Sequence, residues 1–172
     1  MASPQDESDV HPKADAELLT GAADYAARAI EMIGGARTEL ALMTQDLDRR
    51  VYGTEAYGDA LRHFVLQHGH TKARVLVNNT QAAVRNSPRL IELGRALTSF
   101  VEFRELLPAR RLAIREEYLV ADGRLLLYRE TPQDLEAKYY GQSPHLARLK
   151  LKDFEVLWNE SPPAQELRKL RI

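Results

Sequence analysis

Three arginines around one hairpin-like segment, Arg115, Arg124 and Arg129, are the side chains best suited to holding a charged ligand. A guanidinium stays protonated and presents a planar fork of donors, so it binds phosphate but has no lone pair for nucleophilic attack. Glu116, Glu117 and Glu130 supply the competing reading, in which these arginines solvate strand ends and form surface ion pairs. A second group lies beyond the ends of apolar runs: Asp46 and Asp48, Asn78 and Asn79, and Arg104, with Asp122 at a turn. Ligands of open α/β sheets favour such strand ends. Asn and Asp also cap helices and make turns, and capping is the reading we favour for Asn78 and Asn79. Asp46 and Asp48 are two carboxylates on one loop with no third ligand, so no metal site is assigned. His63, His68 and His70 lie five and two residues apart, spacings that do not share a helix face, while His11 and His145 stand alone.

The elements that would position these groups follow from periodicity. Leu18, Leu19, Ala22, Ala26, Ile30 and Ile33 predict a first helix, with Gly34-Gly35 supplying a left-handed end. Glu39 to Thr44 reads as a buried strand. Thr54 opens a helix whose face carries Ala60, Leu61, Phe64 and Val65. Ala73 to Val77 is the second strand, a helical turn is expected at Thr80 to Ala83, and Pro88 starts a third helix through Leu97. Phe100 to Arg104 alternates as a third strand. Asp122-Gly123 between two apolar runs predicts a hairpin. Ser143 and Pro144 start a long final helix carrying Leu146, Leu149, Phe154, Leu157 and Trp158, with Pro162-Pro163 beyond it.

Composition narrows the class. The chain has 172 residues, 44% hydrophobic and 28% charged, the profile of a soluble globular protein, and one domain is expected over residues 17 to 172, an α/β one from the order of helices and strands. Residues 1 to 16 are polar and acidic and read as a mobile tail. The net charge of -1 gives no global pull toward nucleic acid or an anionic membrane. Without cysteine there is no disulfide, zinc-thiolate site or thiol nucleophile. The acidic start lacks a secretory pattern and no apolar run is long enough to cross a bilayer, so a cytoplasmic location is expected.

The segment Arg115-Glu116-Glu117-Tyr118-Leu119-Val120-Ala121-Asp122-Gly123-Arg124-Leu125-Leu126-Leu127-Tyr128-Arg129 resembles the active-site hairpin of the phospholipase D superfamily. There the strand reads His-x-Lys-x-x-x-x-Asp and a Gly-Ser pair follows the next strand. Aligning Asp122 with that aspartate puts Arg115 at the histidine, Glu117 at the lysine and Arg129-Glu130 at the Gly-Ser pair. Element order, and a closing helix with Phe154 four before Trp158 and Ser161-Pro162 after it, extend the likeness over residues 18 to 172. The resemblance is to single-lobe bacterial proteins of this type that also lack the motif. It implies a mixed sheet flanked by helices on both faces, no nucleophile, and a tendency to dimerise so that two hairpins meet; Tyr118 and Tyr128 are candidate contacts, although core packing is the more common fate of strand aromatics.

Other fingerprints are missing: no glycine-rich phosphate loop follows the first strand, and no Gly-x-Ser-x-Gly elbow occurs. The expectation is a non-catalytic, cofactor-free and metal-free lobe acting by binding or as a homodimer. Alternatives are a phosphate-ligand or nucleic-acid accessory module, using these arginines, Arg110 to Arg115 and Tyr139-Tyr140, and a residual metal-dependent phosphodiesterase on Asp46 and Asp48.

Overall fold

The computed structural model describes residues 15–67, 69–134 and 136–168. The predicted tail up to residue 14, and His68, lie outside them. Among the described residues, seven strands form one mixed sheet: β1 (Glu17–Thr20), β2 (Glu39–Thr44), β3 (Lys72–Val77), β4 (Val101–Glu105), β5 (Glu117–Ala121), β6 (Leu125–Arg129) and β7 (Glu136–Tyr140), in the order β1-β7-β6-β5-β2-β3-β4. The β2-β3-β4 half is parallel, because helices separate its strands in sequence, and the other pairings are antiparallel, with short connections joining β5 to β6 and β6 to β7. The helices are α1 (Gly21–Gly35), α2 (Arg49–Tyr52), α3 (Glu55–Gln67), α4 (Thr80–Asn86), α5 (Pro88–Ala96), α6 (Pro144–Glu160) and α7 (Gln165–Arg168).

Alternation along β2 divides the core. Leu40 and Leu42 face the layer of α1, α3 and α5, while Ala41 and Met43 face α6, where Phe154 and Trp158 are buried. The expected helix-sheet-helix layering is therefore present. Phe154 and Trp158, one turn apart, stack with centroids 5.6 Å apart and 20° between planes. Burying an apolar side chain of this size contributes roughly 1.5–3 kcal/mol.

Three local readings change. Leu18 and Leu19 belong to β1, not to the first helix, because Gly21 at φ +84° turns the chain before α1 begins. Gly34 and Gly35 are helical, and the chain leaves α1 through Ala36 in an extended conformation. β7, whose charged and apolar residues alternate, pairs both β6 and β1 and was not anticipated. The final helix starts at Pro144 as expected, although Ser143 makes no side-chain capping bond.

Candidate functional site

The hairpin turn forms as its residues demand: Asp122 and Gly123 both have positive φ, +53° and +63°, and Arg124 N donates to Ala121 O at 3.0 Å. Counting back along the ladder sets Glu117 opposite Arg129. Their side chains close an ion pair at the carboxyl end of β2, with Arg129 Nη2 donating to Glu117 Oε1 at 3.0 Å. Glu117 is 0% exposed and Arg129 3%. The surface-pair reading is thus half right: Arg129 does pair with a glutamate, but inside the core.

Three helices close over this pair. Tyr52 of α2 donates its hydroxyl to Glu117 Oε1. Tyr25 of α1 lies under the Arg129 guanidinium, 4.3 Å from ring centroid to Cζ, a cation–π contact. Tyr57 of α3 meets Tyr52 edge-on at 5.1 Å. Arg129 Nη1 also donates to Pro132 O at 3.3 Å. Asp48 Oδ2 stands 4.0 Å from Arg129 Nη2, yet its main partner is Arg50, whose Nη2 lies at 2.7 Å and whose backbone N donates at 2.9 Å to cap α2. Burial pushes the phenols of Tyr25, Tyr52 and Tyr57 up, reinforced by the Glu117 charge, so all three are neutral donors at ordinary pH.

The carboxylates differ. Burial raises Glu117 above the usual carboxylate range, against the opposing pull of Arg129 and Tyr52. Burial and the neighbouring Asp48 raise Asp46. For Asp48 burial acts upward, but hydrogen bonds and charge from Arg50 win and hold it low. Glu117, Asp46 and Asp48 therefore surround Arg129 with more negative than positive charge. A groove of about 360 Å³ outside Arg129 is lined by Tyr128, Glu130, Asp134, Glu136 and Lys138, again with an acidic balance.

The crevice at the ends of β2 and β3 is occupied by the chain itself. Asn78 Nδ2 donates to Gln45 Oε1 at 2.8 Å, to Arg111 O at 2.9 Å and to Ile114 O at 3.1 Å. Gln45 Nε2 donates to Ile114 O and Glu116 O, both at 3.1 Å. Together they hold the loop between β4 and β5 over the strand ends. Asn79 accepts from Ala82 N at 3.0 Å and caps α4, so the capping expectation is met for Asn79, while Asn78 is a loop clamp. Gln45 was not singled out from sequence, since a lone glutamine carries no spacing signal.

The predicted site residues do not gather in one place. Arg115 is exposed just before β5, and no ion pair or hydrogen bond of its side chain is found among the described residues. Arg124 is exposed in the turn, one residue beyond the Ala121–Leu125 pair, which is itself four ladder steps from the Glu117–Arg129 pair, or about 13 Å at 3.3 Å per residue. Asp122 sits at that same far end: it accepts from the amides of Arg37 (2.9 Å), Thr38 (2.8 Å) and Glu39 (3.0 Å), so it ties the turn to β2 and is not part of a strand-end cleft. Arg104 lies toward α6, its guanidinium 4.4 Å from the Trp158 centroid, with Nη1 donating to Trp158 O at 2.9 Å. Tyr118 is 0% exposed, which removes it as a surface contact, whereas Tyr128 is half-buried. Among the described residues, no group of three histidine or acidic side chains could hold a metal, and no helix is long and apolar enough to cross a membrane.

Comparison with known proteins places this geometry. A family profile described as a domain of unknown function (DUF7931) matches residues 21–170. Comparison with curated protein sequences finds no match. Among solved structures, the chain is similar to TrmBL2, an archaeal chromatin protein with a novel mode of DNA binding, at TM-score 0.63 and 17% identity over 92% of this chain and 56% of that one. It is similar to the phospholipase D family member Nuc from Salmonella typhimurium at TM-score 0.58 and 11% identity, over 87% of this chain and 98% of that one. NucT from Helicobacter pylori gives TM-score 0.59 and 9% identity with the same coverage. At these identities the likeness is one of fold: the molecule has a phospholipase D-like lobe, and it spans little more than half of the chromatin protein.

Proposed function

We propose that this chain, which belongs to the DUF7931 family, is a phospholipase D-like lobe that performs no phosphoryl chemistry and works by binding, either to a second copy of itself or to another molecule. One observation carries the reading: the Glu117–Arg129 ion pair, capped by Tyr52, fills the carboxyl end of the hairpin. Attack on phosphorus needs a lone pair on an accessible side chain. Glu117 is inaccessible, Arg129 is protonated, and Arg115 at the histidine position of the resembled motif has nothing to donate to phosphorus. The loop clamped by Asn78 and Gln45 covers the neighbouring crevice.

A homodimer is the first form of binding to test, since a single lobe leaves the strand-end surface with Arg115 and Leu112 open, the latter 85% exposed. Light scattering at micromolar concentration is expected to give twice the monomer mass; a strict monomer removes self-association. The second reading is an accessory module for nucleic acid. It draws support from the likeness to a chromatin protein described by its DNA binding, and from exposed Arg49, Arg85 and Arg115 at the carboxyl end of the sheet. Fluorescence anisotropy with duplex and single-stranded oligonucleotides tests it: binding that weakens steeply with salt and drops in Arg115→Ala supports it, and no binding at low salt removes it.

A further inference from the structure

Two carboxylate oxygens beside Arg129 are buried and lack any hydrogen-bond donor: Asp46 Oδ1 and Glu117 Oε2. Such acceptors are costly to bury unsatisfied; the Tyr25 hydroxyl and Arg129 Nε are also buried without partners but neither bonds to these oxygens, and the other donors facing them are committed. Arg50 serves Asp48, the Tyr52 hydroxyl and Arg129 Nη2 serve the other Glu117 oxygen, and Arg129 Nη1 serves Pro132. Asp46 receives no side-chain hydrogen bond in this arrangement; only its backbone carbonyl is used, accepting from Asn86 Nδ2 at 2.9 Å. The groups facing this spot are Tyr25 from α1, Asp46, Asp48 and Arg50 from the β2–α2 segment, Tyr52 from α2, Tyr57 from α3, Glu117 from β5 and Arg129 from β6. With the tyrosines neutral, three carboxylates stand against two guanidiniums.

We propose that Asp46 and Glu117 act together as a proton-binding pair that fastens the Asp46–Tyr52 segment to the sheet more tightly as the solution moves from alkaline to mildly acidic. One added proton turns an orphaned acceptor into a donor and removes one of the mutually repelling charges. The segment is the one that responds, because Tyr52 on Glu117 and Asp48 beside Arg129 are its links to β5 and β6. The direction agrees with the raised carboxyls of both residues: a folded state that holds a proton more tightly than the unfolded chain gains stability as pH falls through the folded value and loses it as pH rises.

Hydrogen exchange of the full chain, corrected for intrinsic rates, tests this. Protection of amides in 46–53 is expected to rise at least about threefold, relative to the amides of β3, as pH falls from alkaline toward the ordinary carboxylate range. Asp46→Asn, on a half-buried loop, is expected to abolish that dependence. Flat or falling protection in the native chain, or full dependence retained in Asp46→Asn, overturns the proposal. Carbon-detected NMR of the unsubstituted protein provides a second readout that needs no variant: at least one of the two carboxyls must titrate above the range of a free carboxylate, and titration of both within or below that range overturns it.

Discussion

Glu117 and Arg129 face each other across the β5–β6 ladder and form an ion pair from which water is excluded. Pairs of this kind are asymmetric in energy. Removing one partner leaves a buried charge alone and costs roughly 3–5 kcal/mol, whereas replacing both by apolar residues of similar volume is close to neutral. Glu117→Leu and Arg129→Met should therefore each lower unfolding stability by about that much. The double replacement Glu117→Leu with Arg129→Met should recover most of the loss. Urea unfolding of the four proteins measures the coupling, and additive losses would show that the two side chains act independently.

Asp122 governs the other end of the hairpin. Burial acts to raise its carboxyl, but hydrogen bonds from the amides of Glu39, Thr38 and Arg37 and from the Thr38 hydroxyl outweigh that and hold it below the ordinary range. A lowered folded value contributes stability that is present above the unfolded carboxyl range, near pH 4, and is lost as pH falls through the folded value. Asp122→Ala should cost at least about 1.5–3 kcal/mol at neutral pH, the worth of a hydrogen bond to a charged group, and should flatten the acid limb of the stability profile. Thermal melts across the acid range check both effects. An unchanged acid limb would place its origin elsewhere, for example in Glu155, which Arg74 holds low.

The loop between β4 and β5 depends on Asn78. Its amide nitrogen serves Gln45, Arg111 and Ile114 at once, and Asn78→Ala removes all three bonds while leaving the carbonyls of the loop to find water. Cleavage by trypsin after Arg110, Arg111 and Arg115 should accelerate by about an order of magnitude while global stability changes far less, since local opening has its own free energy. Equal acceleration at sites remote from the loop would mean that the whole fold had loosened.

Parts of this architecture are readable without coordinates, and the reasons are local. Asp122-Gly123 announces its turn because both residues tolerate positive φ, and Pro144 marks the start of α6 because its missing amide costs nothing there. β2 announces itself as a continuous apolar run because it is buried on both faces, and β3 by its apolar, β-branched end at Val75 to Val77. β1 and β7 do not: each is short and at or next to an edge, with exposed charged residues, and Leu18 and Leu19 fall by chance into register with the apolar face of α1. The Glu117–Arg129 pair was legible in principle, since fixing the turn at 122 and 123 makes 117 and 129 opposite by counting. Tyr25, Tyr52 and Tyr57 were not, because tertiary folding brings α1 and the α2–α3 segment together over a strand pair far along the chain, and single tyrosines carry no pattern.

Restoring the residues of the resembled motif should not restore chemistry. Arg115→His with Glu117→Lys sets a second cation against Arg129 in a buried space and leaves the loop clamp in place. The variant should unfold more easily and show no phosphodiester cleavage above the unaltered protein; a clear gain in turnover would show that the site needs only its side chains.

The most direct measurement is turnover by the unaltered protein: hydrolysis of an activated phosphodiester and of labelled DNA, with and without a panel of divalent metals, followed against Glu117→Gln prepared identically so that trace contaminants cancel. A lobe whose hairpin end is sealed by Glu117 and Arg129 gives the same background rate in both preparations under every metal. Cleavage that belongs to the native chain and falls in the variant contradicts the account.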